Sequence, residues 1–130
     1  MRENGGGDLY VGTVLAYALN LADSIDWKHG VFELTSNKTF SAATSSAALF
    51  KQLLNAKIVG QPTGSNPNGY QDMDSFTLPH SNLAITYSKR LFRLSDQVNR
   101  ALQPDVLLHQ KRDDLYEGID TVLKELIQSW

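Results

Sequence analysis

The stretch Leu34-Thr35-Ser36-Asn37-Lys38-Thr39-Phe40-Ser41-Ala42-Ala43 decides how the chain is read. Just upstream, Val31-Phe32-Glu33-Leu34-Thr35 is rich in β-formers and predicts a short, largely buried strand. Downstream, residues 41–54 predict a helix, because Ala42, Ala43, Ala47, Leu49, Phe50, Leu53 and Leu54 supply helix propensity and an apolar face. A strand that empties into a helix through small hydroxylated residues leaves Ser41 at the positive end of that helix, beside N–H groups with no intrahelical partner. Two uses of such a serine stay open here. It is a nucleophile beside an oxyanion site, or it is an ordinary N-cap, with Ser41 or Thr39 satisfying the N–H of Ala43 or Thr44.

Working outward, Asn4-Gly5-Gly6-Gly7-Asp8 forms a turn, and Leu9, Val11, Val14, Leu15, Ala18, Leu19 and Ala22 then recur at a spacing near 3.6. This predicts a helix over 8–24 with one buried face and Asp8 as its N-cap. Consecutive glycines before a helix let bare N–H groups converge on one spot, as an oxyanion or phosphate site requires; the same run also reads as a flexible terminus. On the other side, Lys57-Ile58-Val59 predicts a brief strand, followed by a turn-rich run over 60–69. The period then changes to two, which predicts strands over 73–78, 83–88 and 91–94, the first two joined by Pro79-His80-Ser81-Asn82. Pro104-Asp105-Val106-Leu107-Leu108 adds a short strand. A last helix is expected from about Asp113, with Leu115, Ile119, Val122, Leu123, Leu126 and Ile127 on one face and Asp113 and Asp114 suited to its N-terminal dipole. The alternation of helix and strand predicts one α/β layered domain over 1–130 with a partly parallel sheet.

Composition narrows the chemistry. The chain has 130 residues, 12 Lys+Arg against 14 Asp+Glu, and no cysteine, so disulfide scaffolds, thiolate metal sites and a cysteine nucleophile are excluded. A pI near 5.8 with no basic run offers no footprint for nucleic acid or an anionic membrane. His29, His80 and His109 lack the close spacing of a zinc site, so no metal or cofactor is expected. His29 and His80 are expected at the surface, and neither Lys38 nor Lys57 has a context that predicts burial and a lowered pKa. The apolar-leaning stretch over 9–25 is interrupted by Gly12, Thr13, Asn20, Asp23 and Ser24, too polar and short for a bilayer core of about 30 Å. With no basic leader before it, the chain as written is expected in the cytoplasm.

Five segments, taken in order, resemble the tail-specific (C-terminal processing) serine peptidase family, in the branch of the tricorn core and the retinoid-binding-protein relatives. They are Arg2-Glu3-Asn4-Gly5-Gly6-Gly7 before a helix, Leu34 through Ala43 as quoted above, Ile58-Val59-Gly60-Gln61-Pro62-Thr63-Gly64, Phe76-Thr77-Leu78-Pro79, and Leu102-Gln103-Pro104-Asp105-Val106. The match runs from about Arg2 to Leu108. The resemblance implies a ClpP/crotonase-like layered α/β core, with a mixed sheet and flanking helices, acting on a peptide or protein substrate through an acyl-enzyme. Residue by residue, Ser41 matches the nucleophile, Ala42 N–H one oxyanion donor, and a glycine of the triplet, Gly6 or Gly7, the other. Crotonase-like sheets often trimerise, so a homo-oligomer is also implied.

The departures matter as much. In the branch built on a serine/lysine dyad, a lysine follows the glycine-proline-threonine turn; here the chain reads Gly64-Ser65-Asn66-Pro67-Asn68, and Asn66 cannot accept a proton from a serine. The other branch takes a histidine from the N-terminal half of the catalytic domain, upstream of this Met1. The chain is therefore expected to be the C-terminal part of a catalytic domain, incomplete at its N-terminus, and exported should a leader stand upstream. Near residues 95–99, where the resemblance implies an acid, there is no glutamate and Asp96 is the available carboxylate. Two functions follow: a serine-type endopeptidase that lacks its general-base half, or a non-catalytic peptide-binding or assembly module of the same fold. A third, acyl-thioester chemistry of the crotonase type, lacks an adenine-binding signature.

Overall fold

Ile58 and Val59 are consecutive and both fully buried, which a strand achieves only when it is covered on both faces. The computed structural model, which describes residues 2–22, 30–96 and 100–129, shows how. Strands β1 (Phe32–Thr35), β2 (Lys57–Gly60) and β5 (Val106–Leu107) form a parallel sheet in the order β1-β2-β5, with Leu34 opposite Val59 and Val59 opposite Val106. On one face, Ile58 meets Ala47 and Ala48 of helix α2 (Ala42–Leu54) together with Leu102. On the other, Val59 meets Val122 and Leu126 of helix α4 (Thr121–Ser129). Helix α1 (Leu9–Asn20) lies outside α2, and strands β3 (Gly69–Thr77) and β4 (Ala84–Phe92) form a separate antiparallel hairpin.

The expected α/β layering is present, with parallel and antiparallel pairing in different sheets. Several elements differ from expectation for identifiable reasons. The two strands expected over 83–88 and 91–94 are one nine-residue strand, because β3 pairs with β4 from Thr77–Ala84 through to Gly69–Phe92. The expected C-terminal helix is split: α3 (Arg112–Tyr116) ends at Gly118, whose φ of 73° breaks the helical path, and α4 restarts after Asp120, whose Oδ1 accepts Leu123 N–H at 3.0 Å. Helix α1 has its cap as expected, with Asp8 Oδ1 accepting Tyr10 N–H at 2.8 Å, and its end lies at Asn20; positions 23 and 24 fall outside the described residues.

The buried face of α1 is not the one its large side chains suggested. Gly12 and Ala16 are buried while Val11 and Val14 are 68% and 66% exposed. The cause is close helix approach: a Cβ on Gly12 would lie 2.0 Å from Ser46 Oγ and 2.8 Å from Ser46 Cβ of α2. Small residues therefore occupy the contact, and Leu19 joins the core beside Ala16 and Phe50.

Candidate active site

The segment before α1 is bound to the turn before α2 by backbone and hydroxyl bonds. Arg2 C=O accepts from Ser36 Oγ at 2.5 Å and Thr39 Oγ1 at 3.2 Å, and Asn4 C=O accepts Phe40 N–H at 3.1 Å. The Arg2 guanidinium grips Asp120 with both nitrogens, one at 2.7 Å, and holds that carboxyl down to about 2. Asn4 then turns the chain, its Oδ1 accepting Gly6 N–H at 2.8 Å. These bonds bring the glycine triplet against Ser41: a Cβ on Gly6 would stand 2.9 Å from Ser41 Cβ, 3.1 Å from Phe40 O and 3.4 Å from Ala42 N. Gly6 and Gly7 have φ of 116° and 131°, a region that suits glycine.

Ser41 adopts φ 52° and ψ −123°, a conformation that non-glycine residues rarely hold and that costs of order 1–3 kcal/mol. It precedes α2 but makes no side-chain cap bond, so the N-cap use left open by the sequence is not the one observed. Phe40 C=O takes up one first-turn donor, accepting Ala43 N–H at 3.1 Å, and Thr44 Oγ1 ties the turn to the helix by donating to Thr39 C=O at 3.0 Å. The half-buried Ser41 hydroxyl hydrogen-bonds to no described residue. Ala42 N–H and Gly7 N–H likewise donate to no described residue, whereas Gly6 N–H is engaged by Asn4.

A cleft of about 880 Å³ opens at Ser41, within the size range of small-ligand sites. Its walls are Leu9, Thr13 and Tyr17 of α1, Phe40 and Leu49, Met73 and Phe92 of the hairpin, and Leu94; Gly7, Ala42, Ser65 and Asn66 complete it around the serine. Each charged side chain on the lining already has a partner. Asp8 caps α1, and Arg90 bonds Tyr10 Oη at 2.7 Å and Asp72 at 3.2 Å.

The sequence-derived residues divide clearly. Ser41, Ala42 and Gly7 share the cleft and Gly6 abuts Ser41 from behind. Asp96 is exposed and is not on the cleft lining. Among the described residues, no histidine or lysine lines the cleft: His80 is exposed in the hairpin turn, His109 contacts Gln61 Nε2 at 2.7 Å, and Lys38 pairs with Glu3 at 2.9 Å. His29 lies outside the described residues. Ser65, which the sequence offered only as a departure from a lysine motif, accepts Ser41 N–H at 2.8 Å. Among the described residues no group of His, Asp and Glu could hold a metal, and no helix is long and apolar enough to cross a membrane.

No family model matches the chain, and no curated protein matches it. Among solved structures it is similar to a protein from Parabacteroides merdae ATCC 43184 assigned as a peptidase, with 20% identity and a TM-score of 0.69 over 98% of this chain and 49% of that one. It is also similar to a protein from Bacteroides fragilis NCTC 9343 assigned as an S41 protease, with 14% identity and a TM-score of 0.65 over 98% of this chain and 42% of that one. The chain thus spans about half the length of the structures it resembles. At these identities the likeness establishes architecture, and the chain has the layered α/β fold of those two proteins.

Proposed function

We propose that the chain is the C-terminal part of a serine-type endopeptidase catalytic domain of the tail-specific family, with Ser41 as nucleophile. The observation that carries this reading is the turn at Ser41. A serine that makes no cap bond, held in a strained conformation on the lining of a cleft and flanked by two N–H groups that donate to no described residue, is arranged for attack on a carbonyl rather than for capping a helix. The serine oxygen attacks the peptide carbonyl carbon, the tetrahedral oxygen draws on Ala42 N–H and Gly7 N–H, and collapse breaks the C–N bond. The serine hydroxyl proton, carried by water where the described cleft residues offer no base, goes to the leaving nitrogen, so that a neutral amine departs and an acyl-enzyme remains. Gly6, whose own N–H is taken by Asn4, sets the distance between the triplet and Ser41. The largely apolar cleft, whose one cation among the described residues is already paired with Asp72, suits an uncharged acyl-side residue. Asp96 has no step in this reading, since it stands exposed and away from the cleft lining.

A fluorophosphonate is the direct test. With an oxyanion site but no imidazole or amine among the described cleft residues, Ser41 should label specifically but several orders of magnitude more slowly than a base-activated serine. Labelling should vanish in Ser41→Ala. A folded chain that never labels at Ser41 would refute the proposal. The lack of a base among the described cleft residues favours one second reading, a peptide-binding module of the same fold. Apolar peptide binding that Ser41→Ala leaves unchanged, without labelling or turnover, would select it.

A further inference from the structure

The strained Ser41 turn needs something to hold it, since a backbone that costs of order 1–3 kcal/mol persists only where its surroundings over-determine it. The bond to Ser41 main chain comes from an unexpected place. Ser41 N–H donates to Ser65 Oγ at 2.8 Å, Ser65 Oγ–H donates to Thr44 Oγ1 at 2.9 Å, and Thr44 Oγ1–H donates to Thr39 C=O at 3.0 Å. Each hydroxyl in this relay accepts one proton and passes its own on, so the direction is fixed from end to end. The relay starts at the nucleophile and finishes two residues before it, closing a ring across the first turn of α2.

Both ends of the ring are anchored. Thr44 and Thr39 are fully buried. Ser65 belongs to a loop fixed on two sides: Gly64 N–H donates to Thr39 C=O at 2.8 Å, and Thr63 Oγ1 donates to Ser65 C=O at 2.8 Å while accepting Leu102 N–H at 3.0 Å. Gly64 must be glycine for this, because a Cβ there would stand 2.1 Å from Asn37 O.

We infer that Ser65 is a positioning residue for Ser41: its hydroxyl ties up Ser41 N–H, fixes the turn that aims the Ser41 side chain into the cleft, and thereby leaves Ala42 N–H as the donor on this side of the serine. This rests on the nucleophile reading above. Removing the hydroxyl withdraws the acceptor of Ser41 N–H and the donor to Thr44 together, and the turn loses its constraint while the apolar side chains that wall the cleft stay as they are.

The test compares Ser65→Ala and Ser65→Thr in the full chain. Fluorophosphonate kinetics separate the maximal labelling rate from the reagent concentration at half-maximum. Ser65→Ala should slow the maximal rate at least about tenfold with the half-maximal concentration unchanged, because misaiming a reacting atom costs rate rather than binding. Ser65→Thr, which keeps the hydroxyl, should recover most of it. Equal labelling by wild type and Ser65→Ala, or equal loss in the alanine and threonine variants, would overturn the inference. Amide hydrogen exchange reads the same role without chemistry. Ser41 N–H should exchange at least about tenfold faster in Ser65→Ala, with Ser45 N–H unchanged, and an unchanged Ser41 rate would refute the inference. If wild type never labels, the nucleophile reading fails while the exchange result still decides whether Ser65 holds the turn.

Discussion

Substituting each glycine of the triplet by alanine separates backbone strain from steric contact. Gly5 has no positive φ and nothing within 4 Å of a built Cβ, so Gly5→Ala should change stability by no more than about 0.5 kcal/mol. Gly7 has open space but a φ of 131°, so its alanine carries backbone strain alone, about 1–2 kcal/mol. Gly6 carries both: a φ of 116° and a Cβ 2.9 Å from Ser41 Cβ and 3.1 Å from Phe40 O, which adds about 1–3 kcal/mol of overpacking. For a chain of this length each kcal/mol moves Tm by about 4 °C, so thermal melts should rank the variants Gly5→Ala above Gly7→Ala above Gly6→Ala. The loss at Gly6 is limited by how firmly residues 2–4 are docked, since the segment can release instead of compressing. Exchange at Phe40 N–H, which donates to Asn4 C=O, reads that release and should accelerate in Gly6→Ala only. A Gly6→Ala protein that melts with Gly5→Ala and keeps Phe40 protected would refute the placement of the triplet against Ser41.

Three further outcomes follow from the same geometry. Asp120, held at about 2 by the Arg2 guanidinium against an ordinary 3.8, lends stability above the unfolded value that is lost as pH falls towards 2; solvent screening of this part-exposed pair reduces its worth to about 1 kcal/mol. Urea midpoints from pH 6 to pH 2 should show that loss in wild type and not in Asp120→Asn. Gly12→Ala should destabilise the chain by about 1–3 kcal/mol through its collision with Ser46, measured by chemical denaturation, and an unchanged midpoint would disprove the tight α1–α2 contact. Met73→Asp, on an exposed part of the cleft wall, should leave Tm in place while slowing labelling by phosphonates with long apolar groups more than by short ones; equal slowing would contradict the apolar cleft.

How much of this was legible in the sequence depends on the range of the interaction that decides each feature. Lys57-Ile58-Val59 before a turn-rich run announced a brief strand, and Asp8 announced the cap of α1, because both signals are local. Periodicity puts Val11 and Val14 on the buried face of α1, where the structure exposes both, because apolar spacing says nothing of the Gly12–Ser46 approach that selects that face. The single β4 strand was hidden by Lys89 and Arg90, which break the apolar alternation yet sit comfortably in an exposed hairpin. At the site, the conjunction of Ser41 and the triplet was visible through the ordered motifs. The choice between capping and free serine was not, because it turns on a backbone conformation fixed by Ser65, twenty-four residues away. The crowding of hydroxyls at Thr39, Ser41, Thr44, Ser45 and Ser46 was the available signal for such a relay.

The most direct test of the central claim is a crystal structure of the chain with a peptide boronic acid that captures serine as a tetrahedral adduct. Boron should be bonded to Ser41 Oγ, with one boronate oxygen about 2.7–3.1 Å from both Ala42 N and Gly7 N. An adduct whose oxygens turn to solvent, or a ligand bound in the cleft without touching Ser41, would contradict it.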